Sequence, residues 1–209
     1  MMSDYNIKIE DTYQIQNKQK LYDFDSCIAY VLERGKQMYN NNFVINRYHK
    51  EALYQVLAYA IEDQKVTQEL GMSLDKGLLL MGESNCGKTS LMHLMKPFFS
   101  HKRQYNIKTC RSLSVAFMQK GFEAIAPFEL STCKPVCLDN VGMEHIAKHY
   151  GYSCEVVSNI VESHYENRHE QTYPRLHITT SMSPSELEKR YGTHFRKMLQ
   201  QMFNVVVFR

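Results

Sequence analysis

The segment from Gly82 to Thr89 reads Gly-Glu-Ser-Asn-Cys-Gly-Lys-Thr and matches the pattern G-x4-G-K-[ST] without deviation. Glycines let a loop wrap closely around phosphate groups, and the loop amides direct positive dipoles at them. In this pattern the lysine, Lys88, reaches the β- and γ-phosphates, and the hydroxyl of Thr89 ligates Mg²⁺. The predicted cofactor-binding residues are Gly82, Glu83, Ser84, Asn85, Cys86, Gly87, Lys88, Thr89 and Ser90.

A second element of a nucleotide site is an acid at the end of a neighbouring apolar strand, and Asp139 follows the run Pro135–Leu138. We expect Asp139 to hold Mg²⁺ through a bound water, the alternative being a turn residue at a strand end. Asn140 can position an attacking water but cannot accept its proton. Glu144 either substitutes as the base or is a solvated loop glutamate, and both interpretations stay open.

The expected strand Leu176–Thr180 ends in the hydroxyl side chains Thr179-Thr180-Ser181. A polar tip on a strand beside the phosphate loop can contact the γ-phosphate or the attacking water. The alternative is that these hydroxyls cap the helix that begins at Ser183, and this alternative is stronger for Ser183 than for Thr180.

Apolar runs and helical periodicity predict an α/β fold, because strands and helices alternate from residue 77 onward. The expected strands are Gly77–Met81, Tyr105–Cys110, Pro135–Leu138, Leu176–Thr180 and Val205–Phe208. The expected helices are Phe24–Tyr39, Arg47–Gln64, Gly87–Ser100, Ser112–Gly121, Cys154–Gln171, Ser183–Tyr191 and Gly192–Phe203. We therefore expect a five-stranded, mostly parallel sheet flanked by helices, with a short helical extension before it.

The composition of the 209 residues is that of a globular protein, with 44% hydrophobic and 22% charged residues. The longest apolar run is far shorter than the roughly 20 residues of a membrane span, so no membrane partner is expected. The polar, acidic N-terminus is unlike a secretory signal, and the six cysteines have no paired spacing. These features predict a cytoplasmic protein with reduced thiols.

Positive charge is concentrated after residue 75, where 17 basic residues face 11 acidic ones, against 8 and 11 before it. No acid occurs from Thr89 to Phe122. A basic groove with interleaved aromatic rings is typical of single-strand binding, although the rings can equally be core. The candidate DNA contacts are Lys102, Arg103, Lys108 and Arg111, interleaved with Phe98, Phe99 and Tyr105.

Together these motifs resemble the AAA+ ATPases of the DnaC/IstB type, which are bacterial and phage helicase loaders and transposition helper ATPases. The likeness runs from about Phe43 to the C-terminus. Beyond the phosphate loop, it rests on Leu138-Asp-Asn-Val-Gly-Met-Glu144, His149-Tyr-Gly151, His177-Ile-Thr-Thr-Ser-Met-Ser-Pro-Ser-Glu-Leu187, Tyr191-Gly192 and Met202-Phe-Asn204.

The resemblance implies a P-loop NTPase with ATP and Mg²⁺, acting in DNA replication or transposition by assembly on single-stranded DNA. It also implies a replicative helicase or transposase as partner and homo-oligomers on ATP binding. By position, the phosphate loop matches the Walker A motif, Asp139 the Walker B aspartate and Ser181 the place of the sensor asparagine. Residues 1–42 would be a partner-binding N-terminal extension, and residues 43–209 the AAA+ core.

Three departures from the family affect hydrolysis. Asn140 stands where a second acid is usual, Ser181 replaces asparagine, and the run Thr193–Met198 holds fewer arginines than usual. Arg196 is the remaining candidate for a finger that reaches a neighbouring subunit's nucleotide, or else a surface arginine. Since the fifth strand ends close to Arg209, we expect no C-terminal lid domain.

The expected activity is weak hydrolysis of ATP to ADP and phosphate. One alternative is a scaffold of the same family that binds ATP and barely hydrolyses it. The other is a P-loop small-molecule kinase, which would need a lid with arginines that the sequence does not display.

Overall fold

The computed structural model describes residues 7–129 and 134–208. The strands are β1 (Tyr13–Gln16), β2 (Gln19–Tyr22), β3 (Gly77–Met81), β4 (Asn106–Thr109), β5 (Val136–Val141), β6 (Ala147–His149), β7 (Tyr152–Cys154), β8 (Leu176–Thr180) and β9 (Phe203–Val207). The α-helices are α1 (Phe24–Met38), α2 (Lys50–Ala60), α3 (Gln64–Glu69), α4 (Lys88–Met95), α5 (Cys110–Lys120), α6 (Ala126–Glu129), α7 (Val156–Glu166), α8 (Pro184–Tyr191) and α9 (Thr193–Met202).

The central sheet has five strands in the order β4-β5-β8-β3-β9, and every neighbouring pair is parallel. The expected five-stranded sheet flanked by helices is therefore confirmed. β3 and β8 lie inside the sheet, and every residue of both strands is buried. Strands covered by helices on both faces need such continuous apolar runs.

Two apolar clusters cover the two faces of the sheet. One cluster packs α5, α7, α8 and α9 against it and includes Phe117, Ile160 and Phe195. The other packs α1, α2 and α4 and includes Val31 and Leu57. Helix α1 therefore shares the core of the second face, although it precedes residue 43.

Two short hairpins were not predicted. β1 and β2 pair through a turn in which Asn17 and Lys18 both have positive φ angles, of 51° and 64°. β6 and β7 pair through a turn at Tyr150 and Gly151. Two successive residues with positive φ suit the right-handed twist of a hairpin.

Several helix bounds differ from the expected ones for local reasons. α2 ends at Ala60, because Glu62 adopts a φ of 60° and the Asp63 carboxylate then accepts the Val66 N–H to start α3. α4 ends at Met95, and a single 3₁₀ turn containing Pro97 follows it. Proline lacks the N–H that a helix interior needs, so it favours such an ending.

The described cysteines, Cys27, Cys86, Cys110, Cys137 and Cys154, are free. Cys133 lies outside the described residues. Across the described ranges, no helix combines the length and the apolar character that crossing a membrane requires.

His177, a residue of β8, is buried on the face of the sheet that α2 covers. Nδ1 of His177 accepts the Leu78 N–H at 3.1 Å, and its ring contacts Tyr59, Phe99 and Tyr105. Burial, assisted by the charge of Arg103, lowers the pKa of His177 to about 3. The folded protein therefore keeps this ring neutral.

Because the unfolded histidine titrates near its ordinary pKa of 6.5, His177 makes stability fall as the pH drops from about 6.5 toward 3. The expected loss is up to about 1.4 kcal/mol per pH unit. Urea unfolding at a series of pH values measures it. His177→Asn, which retains an acceptor but does not titrate, should flatten this slope, whereas exposed His101→Asn should not. An unchanged slope in His177→Asn would refute the assignment.

Candidate nucleotide-binding site

The phosphate loop connects β3 to α4, as the motif requires. Asn85 and Gly87 adopt positive φ angles of 63° and 97°, which turn the backbone into the start of α4. The Lys88 ammonium donates to the carbonyls of Gly82, at 2.8 Å, and Glu83, at 2.6 Å. A concave space of about 330 Å³ is lined by Ser84, Asn85, Gly87, Lys88, Thr89, Ser90 and Asn140.

The loop fits a phosphate chain by its donors. It brings together a buried ammonium, a threonine hydroxyl and the N-terminus of a helix. Anions favour such helix ends, because unpaired N–H groups and the helix dipole point at them. The neighbouring hydroxyl and carboxylate oxygens of Thr89 and Asp139 are ligands that suit Mg²⁺.

Asp139 contacts the loop directly. The Thr89 hydroxyl donates to Oδ1 of Asp139 at 2.6 Å, across the 50 residues between them. The Thr179 hydroxyl donates to the same oxygen at 2.6 Å. Asp139 is 3% exposed, so its charge depends on these donors. Thr179 belonged to the polar strand tip noted in the sequence, but only Thr180 and Ser181 were predicted as site residues.

Asn140 lies at the rim of the phosphate space, where a second acid was expected from the resemblance. Its side-chain amide donates to Oδ2 of Asp139 at 3.1 Å. The exposed amide can position a water, but it has no basic group to accept a proton.

Glu144 is not a solvated loop residue, since it is 2% exposed. Tyr191 donates its hydroxyl to Oε1 of Glu144, and the Gly142 N–H donates to Oε2 at 2.9 Å. Arg190 reaches both Oε1 and the carbonyl of Glu144, at 3.3 Å and 2.5 Å. Glu144 is therefore bound by its own chain and does not face the phosphate space. We call this contact the Glu144 clasp, formed with Arg190 and Tyr191.

Thr180 also differs from its expected role. Its buried hydroxyl donates to the carbonyl of Val141 at 2.7 Å and accepts the Met182 N–H at 3.1 Å. It therefore stabilises the strand end and does not point at a phosphate. Ser183 caps α8 by accepting the Glu186 N–H, as the capping alternative predicted. Ser181 lies in the bend between β8 and α8 and is partly exposed.

A second, more apolar cavity of about 210 Å³ adjoins the loop. Phe43, Val44, Ile45, His49 and Phe208 line it together with Asn85, Cys86 and Gly87 of the loop. Its apolar lining and its position beside the phosphate space suit a flat heterocyclic ring. No sequence motif marks this cavity, because its walls come from distant segments.

Several solved structures have a similar fold. The DnaC helicase loader matches with a TM-score of 0.56 and 19% identity, over 81% of this chain and 94% of that one. DnaI matches with a TM-score of 0.56 and 13% identity, over 81% and 86%. AMPPCP-bound DnaA from Aquifex aeolicus matches with a TM-score of 0.50 and 19% identity, over 81% and 49%.

The chain shares the fold of the DnaC helicase loader and of DnaA, a five-stranded parallel sheet flanked by helices. No family model matches the sequence, and no curated protein does. The likeness to these solved structures lies in the fold.

Arg196 lies on α9, where it forms an ion pair with Glu188 of α8. Its side chain is 42% exposed. A finger acting on another subunit would have to exchange this partner for a phosphate.

The proposed DNA contacts divide into two kinds. Arg103 is 5% exposed, pairs with Glu62 at 3.1 Å and stacks on the Tyr59 ring, so its assignment as a DNA contact is wrong. Lys102, Lys108 and Arg111 are exposed. Phe98, Phe99 and Tyr105 are core residues at 2% exposure and cannot stack on bases.

Exposed aromatic rings occur instead on the hairpin β6–β7 and in the 3₁₀ turn Gly121–Ala124 that follows α5. Tyr150 and Tyr152 are 92% and 71% exposed, and Phe122 is 54% exposed. His149 fixes the hairpin, since its Nδ1 lies 3.1 Å from the Met118 carbonyl. Gly121, with a φ of 61°, passes so close to the His149 ring that a Cβ would clash with it.

The Glu144 clasp should be a large contributor to stability. Glu144→Ala leaves the Tyr191 hydroxyl without its acceptor and removes one carboxylate from Arg190, which keeps the backbone carbonyl of residue 144 and Glu155. We expect a loss of about 3 kcal/mol. This is the lower end for breaking a buried pair, because Arg190 remains partly exposed. Urea unfolding measures the change, and the exposed Glu166→Ala provides the control. A loss below about 1 kcal/mol, the usual limit of a surface ion pair, would contradict the clasp.

Proposed function

We propose that this chain is an ATP- and Mg²⁺-binding AAA+ protein of the helicase-loader type, acting on single-stranded DNA in the cytoplasm. The observation that carries the proposal is the contact between Thr89 of the phosphate loop and Asp139 of β5. It joins the two halves of a Walker-type site. The fold shared with the DnaC helicase loader and DnaI supports the replication role.

Each residue has a defined task in this site. Lys88 exchanges its two carbonyl contacts for phosphate oxygens, and the loop amides hold the phosphates. Thr89 and Asp139 would hold Mg²⁺, which neutralises charge on the β- and γ-phosphates when bound. The apolar cavity lined by Phe43 and Phe208 takes the adenine ring. Asn140 and Ser181 can orient a water at the γ-phosphate.

Slow hydrolysis follows from the same residues. Asn140 cannot take a proton from water, and Glu144 is held in its clasp. Arg196 pairs with Glu188 in the isolated chain. A second subunit or a partner is therefore needed for turnover, and homo-oligomers on ATP binding would supply it. A scaffold that binds ATP and barely hydrolyses it remains the second candidate, because Asn140 stands where a second acid would accept the proton of the attacking water.

The N-terminal segment, residues 1–42, is the proposed contact for a replicative helicase or transposase. Its described part holds the hairpin β1–β2, whose Ile15 and Leu21 are exposed, and α1, which packs on the core. The hairpin thus offers apolar side chains on a segment that α1 anchors.

ATP hydrolysis measured against protein concentration, with and without single-stranded DNA, tests the proposal. DNA-stimulated turnover that rises faster than the protein concentration is expected. Asn140→Asp should raise the rate about a hundredfold, since it restores a proton acceptor. Lys88→Ala should abolish nucleotide binding while the fold is kept.

Retained ATP affinity in Lys88→Ala would refute the site. Tight ATP binding with no turnover, in the wild type and in Asn140→Asp, would favour the scaffold. Phosphate transfer to an added small acceptor would indicate the kinase.

We propose that single-stranded DNA lies on the surface formed by α5 and the hairpin β6–β7. Arg111, Val115 and Met118 are exposed at i, i+4 and i+7 on α5 and lead toward Phe122. The exposed Lys120 and Lys148 add positive charge, and Glu123 is the exposed acid beside Phe122. Basic side chains beside exposed rings suit phosphates and bases together.

Tyr150→Ala and Tyr152→Ala should each weaken single-stranded DNA binding by about 1–3 kcal/mol, because each removes a stacking ring. In both tyrosine variants the slope of log K against log salt should equal that of the wild type, because no charge is removed. Lys120→Ala and Lys148→Ala should each reduce the slope of log K against log salt by about 0.7. Fluorescence anisotropy over a salt series measures both effects. The exposed Lys65→Ala on α3 is the control, and an equal effect there would contradict the surface.

A further inference from the structure

Thr179 occupies the point at which β8 passes the proposed nucleotide site. It is fully buried, on a strand that lies between β5 and β3. Its hydroxyl donates to Oδ1 of Asp139 at 2.6 Å and accepts the backbone N–H of Asn140 at 3.0 Å. One hydroxyl group thus forms hydrogen bonds with two successive residues of β5, as a donor to Asp139 and as an acceptor from Asn140.

The backbone of β5 explains why this hydroxyl is needed. The regular pairing of β5 with β8 is interrupted between Leu138 and Val141, and Asn140 adopts a φ of 60°. At such an irregularity a backbone N–H loses its ladder partner. The Thr179 side chain supplies that partner, so it fixes the conformation in which Asn140 faces the phosphate space.

The two hydroxyls on Oδ1 of Asp139 differ in their surroundings. Thr89 stands in the first turn of α4, is partly exposed and lines the phosphate space. Thr179 is enclosed within the sheet and lies away from that space. If Thr89 turns to a metal ion, Thr179 remains as the buried donor to Oδ1 of Asp139, while the exposed Asn140 amide donates to Oδ2.

We propose that Thr179 is a positioning residue for the metal side of the nucleotide site, which holds the Asp139 carboxylate in the orientation that receives Mg²⁺-bound water. This inference rests on the proposed nucleotide site. Thr180, the neighbouring hydroxyl, does not share the role, because it bonds to the carbonyl of Val141.

The test is the affinity of a fluorescent ATP analogue, titrated with Mg²⁺ in the wild type, Thr179→Val and Thr179→Ser. Without Mg²⁺ the affinity should be equal in all three, since Lys88 and the loop amides make those contacts. The Mg²⁺ midpoint should rise about tenfold in Thr179→Val, the effect of one hydrogen bond to a charged group. Thr179→Ser should restore it.

The matched control is Thr67→Val. Thr67 is 1% exposed, and its hydroxyl donates to the Asp63 carbonyl at 2.7 Å, on α3 rather than at the site. It loses a buried hydroxyl as Thr179→Val does, so an equal rise in its Mg²⁺ midpoint would assign the effect to general destabilisation and overturn the inference.

An unchanged midpoint in Thr179→Val would overturn the inference while the nucleotide site stands. If the wild type binds no analogue at all, the proposed function fails. The hydrogen bond between Thr179 and Asp139 is then tested separately, by urea unfolding of Thr179→Val, Asp139→Asn and the double variant. If the double variant loses less free energy of unfolding than the two single variants together, the Thr179–Asp139 bond is supported. Additive losses refute it.

Discussion

One carboxylate oxygen, Oδ1 of Asp139, joins the parts of the molecule that must stay in register for the site to exist. Hydroxyls from α4 and β8 both donate to it, at 2.6 Å each, and the carboxylate itself belongs to β5. A buried charge is tolerated only where donors compensate for lost hydration. The carboxyl end of the sheet is therefore fixed by the requirements of this one group.

A second buried carboxylate continues the same arrangement along the chain. The Glu144 clasp ties the loop after β5 to the end of α8, just before the helix that carries Arg196. Burial and the charge of Glu144 raise the pKa of Tyr191, so the phenol remains a donor. Direct hydrogen bonds between side chains therefore link the segments that carry Asn140, Ser181 and Arg196.

The sequence was sufficient for the sheet and the phosphate loop, since β3 and β8 have the predicted bounds. Their continuous apolar residues can only be covered on both faces. It was insufficient for the hairpins, because strands of three or four residues with exposed side chains leave no apolar alternation. The choice between Thr179 and Thr180 also depends on register, and a one-residue irregularity in β5 decides which hydroxyl faces Asp139. Likewise, periodicity could not tell that Phe98, Phe99 and Tyr105 point into the core.

The hairpin β6–β7 has a consequence for whatever binds it. The turn residues Tyr150 and Gly151 have φ angles of 44° and 87°, and His149 anchors the strands to the end of α5. The backbone beneath the exposed rings is therefore ordered before any contact is made. A flexible loop would lose roughly 1–2 kcal/mol of conformational entropy for each residue ordered on binding. A preformed hairpin avoids most of that loss for any partner that contacts its exposed rings.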